Sequence, residues 1–538
     1  IKSFRSHANA LMDAVSGPRS IAGQSPDYTY LDMLFRPDAY EDADCIYVKN
    51  KLVRNVLANE LVSVDPSLAG RLEVFKKSGL ISPLLLKHSE VLSVLSEMET
   101  DLIRTAKQVD AIRAAQFVMQ PSFLLRKLLV VPHGLETDSD PWHSISEIML
   151  LDAEGVDPAV VEAIGVQEPI PGVDVEVQRT IAGAWQGLVN GWGRQDAAAV
   201  NAAVATLANT LPTTNPAVYP PATRLAWEAW YFEHDQLTRV WLIYLGAVIF
   251  LLIAVVYRWR WALWSGLFVF AIAAGFQTFS VWLRWEISGR WPNANMFEAV
   301  TTSSWFAVVL VFVLELVWLR RTAFRGLLPL GASVTGMVAL MTANFLPVYL
   351  NPNISNMMPV LHDIWLYIHT NVIIFSYAII FMAAVTAVLY LAYRLFGGKA
   401  VYARAGGAGA LLMKGPDGHS LADLDDGEGS SAKWRDKFGE VLDGSTMILM
   451  ELAFVMLWTG LVMGAIWADH SWGRPWGWDP KEVFALNTFI IFVLLIHVRM
   501  KVKDKGLWTA ILAVVGAAVM LFNWIVINFV ITGLHSYA

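Results

Sequence analysis

Two patterns of apolar and polar positions divide this chain. From residue 239 to 538, apolar runs follow one another, the first VWLIYLGAVIFLLIAVVY and the last WTAILAVVGAAVMLFNWIVINFV. Each is close to the roughly twenty residues that a bilayer core requires. Eight membrane helices are expected, near 239–257, 263–283, 300–319, 327–348, 369–392, 444–466, 483–499 and 508–532. Upstream the pattern changes. From about 67 to 121, apolar residues recur at three- and four-residue spacing with charges between them, which predicts helices broken near Ser82-Pro83. A second helical stretch is expected over about 173–208, then a proline-rich connector, NPAVYPPAT (215–223), and a short aromatic helix, RLAWEAWYFEHDQL (224–237). Strand alternation, a fixed-period repeat and a nucleotide-binding glycine pattern do not emerge. The fold class is therefore an all-α polytopic membrane protein of about eight transmembrane helices, with a mainly helical soluble N-terminal extension. The expected division is 1–238 and 239–538.

Composition agrees with that division. The chain has 538 residues, 55% hydrophobic and only 16% charged, too apolar for a soluble protein of this size. The net charge of −7, with no basic field in the soluble part, makes nucleic acid an unexpected partner. A single cysteine, Cys45, excludes an intramolecular disulfide, an internal C-x-x-C-H haem-attachment site and C-x-x-C thiol chemistry. The first residues, IKSFRSHANALM, include neither an initiator methionine at position 1 nor an apolar signal segment. Processing, or membership of a longer polypeptide, is expected.

Loop charge sets the expected orientation. The loops after helices one, three, five and seven carry Arg258 and Arg260; Arg320, Arg321 and Arg325; Lys399, Arg404, Lys433, Arg435 and Lys437; and Arg499, Lys501, Lys503 and Lys505. NPNISNMMPVLHD, after helix four, has no Lys or Arg, and WGRPWGWDPKE has only Arg474 and Lys481. The odd-numbered loops are then cytoplasmic, and the tryptophan-rich loop (467–482) and both chain ends face outward. Residues 1–238 must be translocated, so an upstream membrane segment is expected.

His369, in WLYIHTNVIIFSYA, and His535, in the terminal GLHSYA, fall on that same outward side, flanking the loop. Neutral imidazoles are good iron ligands, and an axial pair could hold haem between them. Trp472, Trp476 and Trp478 could cover porphyrin faces at interfacial depth, and Arg474 or Lys481 could pair with propionates. Singly, each residue reads as well as part of an interfacial aromatic belt or as a helix-end histidine; the combination is sharper. His497, in LLIHVR, falls near the cytoplasmic side and is a membrane-embedded ionisable candidate for a second haem site. Its partner ligand would come from outside this chain. Asp479 suits the N-cap of helix seven, with Pro480 in the first turn; support of a haem-facing tryptophan is its other reading. His470 is an alternative ligand, and His362 an interface residue.

The stretches GRWPNANMFEA (289–299), WLYIHTNVIIFSYA (365–378), GAIWADHSWGRPWGWDPKEVFAL (464–486), LLIHVR and GLHSYA resemble the haem-handling proteins with a tryptophan-rich signature. The resemblance is to their system II cytochrome c biogenesis branch, CcsA/ResC, often fused to CcsB/ResB, and it covers about 239–538. It implies that His369 and His535 are outer haem ligands and His497 an inner one, whose partner lies in a CcsB-like portion. It further implies movement of haem b outward across a bacterial cytoplasmic (inner) membrane to the periplasmic side. There reduced haem would be joined by thioether bonds to the C-x-x-C-H of apocytochrome c, with thiol-reducing proteins as further partners. Such a protein would be a holocytochrome c synthase (haem lyase) component. The rival expectations are a haem exporter or chaperone without synthase activity, a b-type electron-transfer protein, and a membrane scaffold. The helical region 1–238 departs from the usual CcsB soluble domain, so no family function is carried onto it.

Overall fold

A computed structural model describes residues 2–101, 105–132, 142–148, 169–317, 325–347, 349–354, 363–403 and 431–527, with side chains in the last stretch from 438. The chain forms two compact units, Ile1–Phe232 and Glu233–Ala538.

The first unit is helical with minimal sheet. Its longer helices include Phe4–Ser16, Lys51–Val64, Ala106–Val118, Val175–Gly193 and Ala197–Thr214. Polar side chains start several of them: Ser3, Asn50, Asp174 and Asp196 each accept a backbone N–H of the first turn. The break expected near Ser82-Pro83 is wider than one residue pair. Leu80–Ile81 pairs with Ile46–Tyr47 as two antiparallel strands before the short helix Pro83–Leu86. A second small pair joins Leu129–Val131 to His143–Ser144. Strands of two or three residues are too short to show alternation in sequence. Tyr30, Val53, Leu57, Val109 and Ile181 belong to one apolar core. Cys45 is fully buried there, and burial, with Asp44 nearby, pushes its thiol up to about 12.

The second unit is a bundle in which, among the described residues, eight helices are each long and apolar enough to cross a membrane. They are α1 (Trp241–Tyr257), α2 (Arg260–Ser288), α3 (Met296–Val317), α4 (Leu327–Phe345), α5 (Ile364–Leu395), α6 (Ser431–Trp472), α7 (Pro480–Lys501) and α8 (Lys505–Phe522). A single π turn, Asn523–Ile527, continues α8. The protein is thus a multi-span membrane protein of the all-α class. Several helices outrun their apolar segments because a polar cap, not the first apolar residue, sets the start. Asp363 accepts from Trp365 and Leu366 N–H, so α5 begins at 364 and His369 lies in its second turn.

α5 is the centre of the bundle, packed against α3, α4, α6 and α8. Its buried Ile379, Met382, Ala383 and Tyr390 belong to the apolar core shared with Leu457 of α6 and Phe492 of α7. Several buried polar groups pair with one another, as burial favours. Gln277 accepts from the Tyr244 hydroxyl at 2.6 Å and donates to Ser304 at 2.9 Å. At the end of the bundle away from the tryptophan loop, Arg499 grips Asp443 through two bonds of 2.9 and 2.7 Å and donates to Thr509 at 2.6 Å. That cluster ties α6, α7 and α8 together.

Candidate functional site

The site begins with two glycines on α6. The Nδ1–H of His369 donates to the Gly460 carbonyl at 2.7 Å. One turn further, Gly464 lies flat against the same ring, where a Cβ would stand 2.6 Å from Cε1. Only glycine leaves room for the imidazole there. A carbonyl can only accept, so Nδ1 carries the proton and the neutral ring has its lone pair on Nε2. That is the tautomer a metal-ligating histidine takes when its other nitrogen bonds a backbone carbonyl.

The tryptophan loop follows directly from α6. Gly473 ends that helix at φ +67°, its N–H bonded to the Asp469 carbonyl; the left-handed region costs glycine little. α7 then opens with a capping box. Asp479, buried, accepts the Lys481 N–H at 3.0 Å, and Glu482 reaches back to the N–H groups of Asp479 (3.2 Å) and Gly477 (2.9 Å). This fold-back fixes the Trp476–Trp478 turn. Trp478 takes φ +57°, a left-handed conformation that disfavours a large side chain.

Between these pieces lies a cavity of about 290 Å³, near the small end of ligand pockets. His369, Ile373 and Tyr377 line it from one face of α5, at successive four-residue steps. Trp467, Trp476, Lys481 and Glu482 line it from α6, the loop and α7, Asn293, Ala294 and Asn295 from the α2–α3 loop, and Met296 from the start of α3. Asn523 and Trp524, on the π turn, complete it. Asn523 Nδ2 donates to the Tyr377 hydroxyl at 2.9 Å, and the Tyr377 and Trp524 rings meet edge-on at 6.4 Å. The indole N–H of Trp476 is buried with no hydrogen-bond partner among the described residues. Flat aromatic walls, one oriented imidazole, a cation and an unanswered N–H suit a planar, anionic metal macrocycle. Among the described residues no cluster of three or more His, Cys, Asp or Glu could hold a bare metal ion.

Comparison with known proteins decides the family. The family described as cytochrome C assembly protein matches residues 294–535. The cytochrome c biogenesis protein CcsA of Parasynechococcus marenigrum (strain WH8102) is 30% identical over 268 residues, covering 50% of this chain and 84% of that protein. The chain belongs to the CcsA family. CcsA of Prochlorococcus marinus (strain NATL2A) is 28% identical over 273 residues, 50% of this chain and 84% of its own length. CcsA of Prochlorococcus marinus (strain NATL1A) is 28% identical over 302 residues, 54% and 92%. Apart from Asn293, the cavity residues named above lie within the stretch matched by the cytochrome C assembly protein family; the first unit lies outside it.

Within this CcsA-family bundle the candidate residues take distinct places. His369 and Trp476 line the cavity. Trp472 stands one layer back, its ring edge-on to the buried Trp467 at 4.8 Å. Arg474 and Trp478 are exposed and outside the lining; Trp478 is 75% exposed. Asp479 is the helix cap. His470 is exposed in the last turn of α6. His497 sits toward the other end of α7, exposed on the helix surface, its Nδ1–H bonded to the Val493 carbonyl at 2.8 Å. It shares the Nδ1–H-to-carbonyl hydrogen bond of His369 without sharing its cavity. His535 and His362 lie outside the described residues. Sequence reasoning did not single out Trp467, Trp524, Tyr377 or the glycine slot. The readable signals were the 369/373/377 spacing and the G-x-x-x-G of 460–464, which lets helices approach closely.

Proposed function

We propose that this CcsA-family protein moves haem b to the loop end of its bundle and positions it there for attachment to apocytochrome c. The observation that carries the reading is His369: an imidazole fixed in one tautomer by Gly460, walled by tryptophans, in a chain of a cytochrome c biogenesis family. His535 would supply a second iron ligand. Trp476 covers the macrocycle, Trp472 braces that wall through Trp467, and Lys481 offers a charge for a propionate. Trp478 and Arg474, exposed beside the cavity, meet the incoming polypeptide. Asp479 supports the loop by capping α7.

His497 marks an inner haem site completed by a ligand from a CcsB/ResB-like portion. The bundle lies in a bacterial cytoplasmic membrane with the tryptophan loop on the periplasmic side; the Lys- and Arg-rich loops at the opposite end support that orientation. Residues 1–238 form an extracytoplasmic domain.

The chemistry asks little of acid or base groups. Each cysteine of C-x-x-C-H adds its sulfur to one carbon of a haem vinyl group, and the thiol hydrogen passes to the other carbon. A thioether forms without a net oxidant, provided thiol-reducing proteins keep the cysteines reduced. What the protein supplies is position. His369 and His535 hold the haem until the cytochrome's own histidine replaces one of them.

The test is conversion of a C-x-x-C-H apocytochrome to holocytochrome by the purified chain with its CcsB-like portion and reduced haem. Covalent haem on the cytochrome supports the synthase reading. Bound haem without attachment would leave an exporter or chaperone.

A further inference from the structure

A buried ionic hub stands behind the Asn293–Met296 wall of the cavity. Glu298, in the first turn of α3, has a fully buried side chain (0% exposed). One oxygen accepts from Nε of Arg284 on α2 at 2.9 Å. The other accepts from Arg290 at 2.8 Å and from the Ala294 N–H at 2.7 Å. Arg284, itself 2% exposed, passes the link on to the Pro352 carbonyl at 2.8 Å. Asn295 caps α3 by accepting the Glu298 N–H at 2.8 Å, and its amide donates to the Asn353 carbonyl at 3.0 Å. One carboxylate therefore joins α2, the α2–α3 loop, the start of α3 and the chain at 352–353.

That loop touches the site twice. Asn293–Met296 line the cavity. Trp291, in the same loop, donates its indole N–H to Asn371 at 2.9 Å, two residues from His369 on α5. The tryptophan-loop wall has the same design: a cap residue, Asp479, and a glutamate three positions on, Glu482, that folds back onto preceding N–H groups. Both glutamates hold loop backbone that borders the cavity. Ion clusters as buried as that of Glu298 are not an efficient source of stability, since desolvation opposes the attraction. What such a cluster supplies is a single geometry for the backbone it grips.

We infer that Glu298 is a positioning residue for the haem cargo, setting the Asn293–Met296 wall and, through Trp291 and Asn371, the seat of His369. The inference rests on the reading that this cavity holds haem. Replacing Glu298 changes how haem is seated before it changes whether the bundle assembles.

The test compares Glu298→Gln, Glu298→Asp, Asn295→Ala and His369→Ala in the full chain with its CcsB-like portion, purified in detergent. Elution and yield report assembly; haem content and the resonance Raman signature of iron ligation and vinyl groups report seating; apocytochrome conversion reports attachment. Glu298→Gln is expected to keep bound haem with an altered ligation or vinyl signature and to lower conversion roughly ten- to a hundredfold, as a misplacement near 1 Å does. Glu298→Asp should recover part of both, and Asn295→Ala, which leaves the ion cluster intact, should shift the spectrum less. Wild-type spectra and conversion in assembled Glu298→Gln, with the His369→Ala signature changed, would overturn the inference and leave the haem reading standing. An unchanged His369→Ala would instead overturn the haem reading. If Glu298→Gln does not assemble, Glu298→Asp decides: a shifted signature supports the inference and a wild-type one overturns it.

Discussion

His369 on α5 donates to the carbonyl of Gly460 on α6 at 2.7 Å, and the ring lies in a slot floored by Gly464. Helix packing and the orientation of the imidazole are here one contact. An alanine at 464 would put its Cβ 2.6 Å from the imidazole, so the ring or the helix must move. Gly464→Ala is expected to destabilise the bundle by about 1–3 kcal/mol through overpacking and to strip haem from the outer site. Gly275→Ala, where a Cβ meets nothing within 4 Å, is the matched control. Thermal unfolding and haem content of the two variants check this; equal haem in both contradicts it.

Trp476 and Trp478 are two residues apart with different duties. Trp476→Phe removes a cavity wall and its buried N–H, and should lower haem content. Trp478→Gly removes an exposed ring and relieves a left-handed backbone that costs about 1–2 kcal/mol. It should leave haem content unchanged, raise thermal stability slightly and reduce conversion of apocytochrome. Titration of haem and cytochrome separately distinguishes these effects; the reverse pattern would refute the assignment.

Loss of the α7 cap should act on the loop first. Asp479→Ala removes a side chain that accepts the Lys481 N–H, worth about 1 kcal/mol at an N-cap. Hydrogen exchange at residues 481–483 is expected to rise while exchange in the middle of α5 stays slow. Uniformly faster exchange would mean that Asp479 holds more than its helix.

The first unit should weaken in acid. Burial, followed by the nearby charges of Lys2 and Lys127, lowers the His7 pKa below its ordinary 6.5. The unfolded chain then binds the proton more readily, so this contribution is intact above pH 6.5 and lost as pH falls below it. Exchange in the helix Phe4–Ser16 of the full chain should speed up on acidification below 6.5, and His7→Phe should flatten that response. A pH response identical in His7→Phe would assign it to other groups.

Much of the bundle was legible because membrane helices announce themselves by length and apolarity. α1 opens the span pattern where its apolar run does. The start of α5 was less legible, since Asp363 acts from outside the apolar run, whereas the Asp479-Pro480 start of α7 could be read from the sequence. His369 and Trp476 stood out as rare residue types beside a membrane edge. Trp467 and Trp524 did not, because a tryptophan in an apolar run carries no local mark of facing a cavity. The role of Glu298 was equally hidden: Arg284 lies fourteen positions before it, and the link to Pro352 spans the whole of α3 and α4. In the first unit, the pairing of Ile46–Tyr47 with Leu80–Ile81 is set by tertiary packing and leaves no period to read.

The central claim is that His369 is a haem ligand of an outer site distinct from that of His497. The direct test is the set of oxidised and reduced haem spectra of the chain with its CcsB-like portion, for wild type and for His369→Ala, His535→Ala and His497→Ala. His369→Ala and His535→Ala are expected to perturb one and the same haem, restored by added imidazole, and His497→Ala to perturb another. Wild-type haem content and spectra in all three variants would contradict it, leaving the tryptophan loop as an interfacial anchor.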